Sequence, residues 1–248
     1  MELRDKVALI TGGASGLGRA TALALAAEGV EVVVADIDEA GGRAVAGQVG
    51  GHFVACDVSS FEANKALVAD AVDLAGGIDI AYLNAGVATG FSVGPDFDVE
   101  RYRMVMGINL DGVVYGTHAV LPALKARGGG AIVATASLAG LTAVPFDPIY
   151  AANKAAVVGL ARSLGPALAA DDVTYNAICP AFAESKIVEP FREALAAQGV
   201  ELIPAETVAA TVLKIITGGA TGEAWFVQPA REPAPFTFRN VPGPGRKA

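Results

Sequence analysis

Cysteine, histidine and tryptophan are scarce, at two, two and one in 248 residues. Cys56 and Cys179 stand far apart, which excludes a disulfide framework and fits unpaired thiols in a reducing cytoplasm. His52 and His118 are separated from each other, so no histidine pair offers metal-ligand spacing. No stretch approaches the roughly 18 uninterrupted apolar residues of a membrane span. The start, Met1-Glu2-Leu3-Arg4-Asp5-Lys6, is too mixed in charge for a signal peptide. Basic residues are outnumbered, 18 Lys and Arg against 26 Asp and Glu, and the net charge of −8 argues against nucleic acid or anionic lipid as partner. With 53% hydrophobic and 18% charged residues, the chain has ample material for a large core, which excludes a disordered or collagen-like polymer.

What is present is a regular alternation. Lys6 to Thr11 is a β-branched run that stops at Gly12-Gly13, followed by helical spacing of apolar residues from Gly16 to Glu28. The cycle repeats, with strands at 31–36, 52–56, 78–83, 131–135, 173–178 and 223–227. Helices are expected at 39–49, 61–74, 99–126, 150–168 and 204–217. Strands apolar on both faces and alternating with helices predict a parallel sheet of about seven strands, covered on both sides. No composition break interrupts residues 1–227, which read as one domain. Residues 228–248 form a tail holding five of the thirteen prolines, unable to continue a helix or central strand. It reads either as a loose end or as an arm over the body or a neighbouring subunit, and Phe236 and Phe238 favour the arm.

The segment Thr11-Gly12-Gly13-Ala14-Ser15-Gly16-Leu17-Gly18 joins the first strand to the first helix. Glycines there let the backbone approach a diphosphate at a helix N-terminus. Arg19-Ala20 after Gly18 excludes the triphosphatase loop, and Thr21 breaks the strict G-x-G-x-x-G fingerprint. Asp36 ends the second strand about twenty residues on, where a carboxylate can bond both ribose hydroxyls of an adenosine and repel an added phosphate. This predicts a Rossmann-like, doubly wound α/β domain that takes NAD rather than NADP, with Asp38 as the cap of the next helix. Ile37, Asp57 and Val58, and Asn84-Ala85-Gly86 fall at the same carboxyl edge of the sheet, with Asp57-Val58 placed for the adenine.

Ser137 follows the fifth strand. Thirteen residues on, Tyr150 and Lys154 lie one helical turn apart on one face. A free phenol titrates near pH 10, too high for a base at neutrality. An ammonium fixed beside it stabilises the phenolate, giving an acid/base for a C–OH/C=O pair without metal or histidine.

Taken in order, T-G-x-x-x-G-x-G at 11–18, Asn84-Ala85-Gly86, Asn109, Ser137, Tyr150-x-x-x-Lys154 and Asn176-Ala-Ile-Cys-Pro180 resemble the short-chain dehydrogenase/reductase family over residues up to about 190. The weaker details around Ser137 and Pro180 are similar to its NAD-linked 15-hydroxyprostaglandin dehydrogenase branch. The resemblance implies that Tyr150 is the acid/base, that Ser137 orients substrate, and that Lys154 binds the nicotinamide ribose. It also implies that Asn109 holds a relay water, that Pro180 lies against the nicotinamide, and that Ser185 bonds its carboxamide. Gly12, Ser15, Gly16, Leu17, Gly18 and Phe182 are counted with the cofactor positions. Ala181 departs from the pattern, standing where a glycine is usual.

Substrate selectivity is expected from loops 87–97, 138–149 and 181–199, with Phe91, Val144, Phe146, Phe182 and Phe191 as pocket residues. Their apolar character points to hydride transfer between NAD and an apolar secondary alcohol or its ketone. Segment 182–199, between Pro180 and Pro204, reads as a lid. A dehydratase or epimerase on the same scaffold, or a non-catalytic NAD-binding protein, are the alternatives. The resemblance further implies a homo-oligomer, dimer or tetramer, built on the helices that carry Asn109 and Tyr150 and on the last helix and strand.

Overall fold

Short runs of Val, Ile, Leu and Ala, buried on both faces, make the strands, and stretches that alternate apolar and polar residues every third or fourth position make the helices that cover them. In chain order these are β1 (Val7–Thr11), α1 (Gly16–Ala27), β2 (Glu31–Asp36), α2 (Glu39–Val49), β3 (His52–Ala55), α3 (Phe61–Ala75) and β4 (Ile80–Leu83). They continue with α4 (Val99–Met106), α5 (Gly112–Ala126), β5 (Gly130–Thr135), α6 (Pro148–Leu168), β6 (Val173–Pro180), α7 (Arg192–Ala197), α8 (Ala205–Gly218), β7 (Ala224–Val227) and β8 (Ala234–Pro235). The computed structural model describes residues 1–90, 93–95 and 97–239.

The sheet order is β3-β2-β1-β4-β5-β6-β7-β8, parallel from β3 to β7, with β8 antiparallel on the β7 edge. Among the described residues there are eight strands, one more than the pattern predicted, because Ala234–Pro235 pairs with Trp225 and Phe226. Beyond it, Phe236 and Phe238 meet edge to face and the Arg162 guanidinium lies 3.8 Å from the centre of the Phe238 ring. Pro235 sits on this outermost strand, where its missing N–H costs no ladder bond on the open side.

Two cores flank the sheet. On one face Leu9, Val33, Ile132 and Tyr175 pack under α3, α5 and α6, and on the other Ile10, Val34, Tyr82 and Ile178 pack under α1, α2 and α8. Chain order reverses direction between β1 and β4, so the connections after these two strands part to opposite sides and leave a crevice at the carboxyl edge. At the opposite edge Asp79 is buried and bonded to the Val7 amide (3.0 Å), Arg127 (2.9 Å) and Lys6 (3.4 Å), tying β1, β4 and α5 together.

Two departures from the sequence pattern bear on the site. The helix expected over 99–126 is interrupted by a wider π turn at Gly107–Asp111, which places Asn109 at its centre. The segment read as a lid, for which the sequence pattern predicts no regular structure, contains a 3-10 turn at Glu189–Phe191 and the short helix α7. Among the described residues no helix is long and apolar enough to cross a membrane.

Candidate active site

The first strand ends in a turn that only glycine can make. Gly12 has φ +64, and a methyl group on it would meet the Ala85 Cα at 2.8 Å. Asn84 braces this turn, donating from Nδ2 to the Thr11 and Gly12 carbonyls at 3.2 Å each. The N-cap of α1, Ser15, is extended and makes no capping bond, and no acid stands in the first helical turn. The first amides of α1 thus meet no side-chain oxygen, which suits an anion at that helix end. A methyl group built on Gly16 would meet Ser185 Cβ at 3.3 Å and its Cα at 3.4 Å, so the segment after β6 lies across the turn.

A cleft of about 670 Å³ runs from this turn along the carboxyl edge of the sheet. Of the sequence-predicted residues, its wall includes Gly12, Ser15, Leu17, Asp36, Ile37, Asp57, Val58, Asn84, Ala85 and Gly86, together with Ser137, Tyr150, Lys154, Pro180, Ser185 and Phe191. One crevice therefore gathers residues from the ends of six strands. Asp36 is held with Oδ2 on the Ala14 amide and Oδ1 on the Asp38 amide, both at 3.0 Å. Asp38 caps α2 through Gly41, as its position implied, and also takes the Lys186 ammonium at 3.1 Å. That capping bond, helped by Lys186, holds the Asp38 carboxyl below its ordinary range.

At the other end of the cleft, Tyr150 and Lys154 rise from α6. The phenol and the Ser137 hydroxyl line the same wall of the cleft. Ser137 itself caps the 3-10 turn Leu138–Gly140 by accepting from the Ala139 amide at 3.1 Å, and its hydroxyl lies 3.4 Å from the Pro180 carbonyl. The Lys154 amine is buried, donates to the Thr135 carbonyl at 2.8 Å and stands 5.7 Å from the centre of the Tyr150 ring. The Thr135 hydroxyl continues this link to Asn84 Oδ1 at 3.1 Å, joining the chemical end to the glycine turn.

The electrostatics differ from the expectation of an acidified phenol. Burial pushes Tyr150 upward, the neighbouring Ser137 hydroxyl opposes this, and the nearby Asp147 carboxylate adds to the rise. Burial also draws Lys154 down to about 8, against a smaller opposing effect of Cys179. The physical reason is that both groups sit in a low-dielectric wall, where the charged form of each is poorly solvated.

Several expected residues lie elsewhere. Gly16 and Gly18 shape the turn without forming the wall: Gly16 is covered by Ser185 and Gly18 packs on the Gly12 carbonyl. Asn109 is fully buried, and its side chain is consumed by Val87, accepting from the amide at 2.8 Å and donating to the carbonyl at 2.9 Å. Phe182 is turned out of the cleft: after β6 successive side chains alternate, so Ala181 and Ala183 face in and Phe182 faces away. Val144 and Phe146 also miss the cleft, because a tight turn from the Val144 carbonyl to the Asp147 amide swings them outward, leaving Phe146 76% exposed. Phe91 lies outside the described residues. Sequence reasoning missed Cys56, Thr135 and Lys186, which also line the cleft. Thr135 could have been found from its place as the last residue of β5, whereas Lys186 carries no local signal.

A nicotinamide dinucleotide fits what is there. The turn offers uncapped amides for a diphosphate, Asp36 faces the cleft at the far end of β2, and a hydroxyl, a phenol and an amine meet across from it. The sequence model of the short chain dehydrogenase family matches residues 6–196. The cyclohexanol dehydrogenase of Acinetobacter sp. (strain SE19) is 36% identical over 198 residues, covering 78% of this chain and 79% of that one. The 2-dehydro-3-deoxy-L-rhamnonate dehydrogenase (NAD(+)) of Sphingomonas sp. (strain SKA58) is 38% identical over 186 residues, 74% of each chain. The 3-ketoacyl-(acyl-carrier-protein) reductase of Brucella melitensis, solved in complex with NADH, superposes with TM-score 0.85 at 29% identity, covering 92% of this chain and 99% of that one. With the serine, tyrosine and lysine on one wall and the glycine turn beside them, this chain belongs to the short-chain dehydrogenase family.

Proposed function

We propose that the protein oxidises an apolar secondary alcohol to its ketone, or runs the reverse reaction, with NAD as partner. The observation that carries this reading is the gathering of Ser137, Tyr150 and Lys154 on the wall of a cleft whose other end presents Asp36. The dinucleotide, when bound, supplies the hydride acceptor. The chain supplies the rest. Ser137 holds the reacting oxygen, Tyr150 Oη takes the hydroxyl proton, and Lys154 holds positive charge and a ribose hydroxyl beside it. The lysine's hold on the Thr135 carbonyl keeps the amine at the cleft floor, where it is ready to serve both. Asn109 acts through the wall, pinning Val87.

The preference for NAD rests on charge at the adenosine end. Asp36 faces the position of the ribose hydroxyls, and the cation the fold brings near, Lys186, is paired with Asp38. Arg43 is paired with Glu39 at 3.1 Å. Two carboxylates against one paired lysine repel an extra phosphate. The substrate end is largely apolar, with Val87, Ala88, Ala181, Ile187 and Phe191 on its walls and Arg101 beside Gly90 as a charged group there. The relatives that act on cyclohexanol and on a sugar acid support a secondary alcohol on a carbon skeleton of modest size. Cys56 and Cys179, both free and buried, fit the reducing cytoplasm. Exposed Met104 and Val114 on the α4–α5 run leave apolar surface that suits a second copy in a homo-oligomer.

The test is a panel of cyclic, aryl and aliphatic secondary alcohols with NAD, followed by NADH absorbance. At least one alcohol is expected to be oxidised, with Tyr150→Phe losing roughly 10²- to 10⁴-fold in turnover. Full activity in that variant overturns the role given to the phenol.

A further inference from the structure

We propose that Asp147 is a positioning residue that locks the loop after β4 to the first turn of α6, so that the small-residue wall of the cleft and the Tyr150 phenol are held as one unit. This rests on the acid/base reading of Tyr150 given above. The geometry is a three-point clamp. Asp147 caps α6 by accepting the Tyr150 amide on Oδ1 at 3.0 Å, and its Oδ2 accepts the Thr89 hydroxyl and, at 3.3 Å, the Gly90 amide. Thr89 is fully buried, although its neighbours along the loop are not, so its hydroxyl is committed to this carboxylate.

The loop needs such a clamp because of its composition. Ala85-Gly86-Val87-Ala88-Thr89-Gly90 offers hardly any side chain with which to pack itself in place, and Gly90 has φ +71, a conformation that favours glycine. Five of these six residues nonetheless form cleft wall. Asn109 fixes the loop at Val87 from the π turn, and Asp147 fixes it at Thr89 and Gly90 from α6. Without the second clamp, the loop would be held only at its start, by the Thr11 hydroxyl on the Ala85 amide and by Asn109 on Val87, with Ala88 to Gly90 untethered by these bonds.

The carboxylate also acts on the phenol by its charge. The groups facing Tyr150 are Ser137 from the end of β5, Lys154 on α6, Asp147 at the N-cap of α6, and Cys179 on β6, which faces Lys154. Of these, Asp147 opposes the phenolate. Removing its charge while keeping its shape makes the phenol easier to deprotonate.

Two variants of the full chain separate clamp from charge. Thr89→Val removes one hydroxyl without changing charge, and Asp147→Asn removes the charge while leaving an oxygen to cap α6. Hydrogen exchange, read by mass spectrometry on segment 84–90, needs no substrate. Both variants are expected to exchange there about tenfold faster than the wild type, with the strand peptides unchanged. With NAD and cyclohexanol as probe, both are expected to lose about tenfold in kcat/KM. The rising limb of kcat against pH is expected to move to lower pH by about half a unit in Asp147→Asn and to stay fixed in Thr89→Val. Wild-type exchange in both variants overturns the clamp, and a looser loop with an unmoved limb in Asp147→Asn overturns its link to the phenol. If cyclohexanol and every other secondary alcohol go unoxidised by the wild type, the proposed function fails while the exchange result still decides the clamp.

Discussion

Gly18→Ala tests whether the first turn is the tight cradle that the site requires. A methyl group built at residue 18 falls 2.2 Å from the Gly12 carbonyl oxygen and 2.8 Å from Asn84 Nδ2. Ordinary carbon–oxygen contact needs about 1 Å more, and the nearer obstacle is backbone, which has no rotamer to yield. The turn must therefore open by about that distance, separating Gly12 from Asn84 and shifting the first amides of α1. Overpacking of this kind costs about 1–3 kcal/mol, and a chain of this size loses roughly 2–4 °C of Tm for each kcal/mol. A displacement near 1 Å at a binding turn lowers turnover on the order of a hundredfold. Gly47→Ala is the control: it lies inside α2 with nothing within 4 Å of the added methyl, so it is expected to stabilise by about 0.5–1 kcal/mol. Thermal unfolding gives the first number and NADH fluorescence titration reports the cradle. If Gly18→Ala binds NADH as tightly as the wild type, the diphosphate does not rest on this turn and the reasoning fails.

Two further outcomes follow from the charges of Asp36 and Asp79. Asp36→Ala removes the carboxylate at the adenosine end, and the ratio of kcat/KM for NAD over NADP is expected to fall by about tenfold or more, as loss of a charged hydrogen bond implies; an unchanged ratio removes Asp36 from the ribose site. Asp79→Ala leaves Arg127 and the Val7 amide without their shared partner and is expected to cost about 3 kcal/mol in urea unfolding. Burial by itself would raise the Asp79 carboxyl, but Arg127, Val7 and Lys6 together hold it below its ordinary value. Its contribution is thus fully present above the unfolded pKa near 4 and is lost as pH falls through the lower folded value, so the wild type and the variant should converge in stability under strong acid.

The order of the fold was legible because each strand is apolar on both faces, which only a parallel sheet under two helical layers can use. The glycine turn, Asp36, Ser137 and Tyr150 were legible for a related reason: each terminates a strand or opens a helix, so the topology alone carries them to one edge. The eighth strand was not, since two residues beside prolines carry no alternation to read. Phe182 illustrates a subtler limit. Residue type marked it as a pocket wall, but its direction depends on where alternation resumes after β6, and one step of phase exchanges an aromatic for an alanine.

Long-range contacts were beyond any local pattern. Lys186 reaches Asp38 across 148 residues of chain, and only the path of the segment after β6 brings them together. The phenol shows the same limit in energetic form. Spacing places Tyr150 and Lys154 on one face, and from spacing alone an ammonium next to a phenol implies an acidic phenol. Burial reverses that inference, because desolvation acts on both groups at once and favours their neutral forms. What the helix face guarantees is proximity. How far the proton moves depends on the charges the walls present to it, and in this chain the nearest such charge opposing the phenolate is the one that caps its own helix.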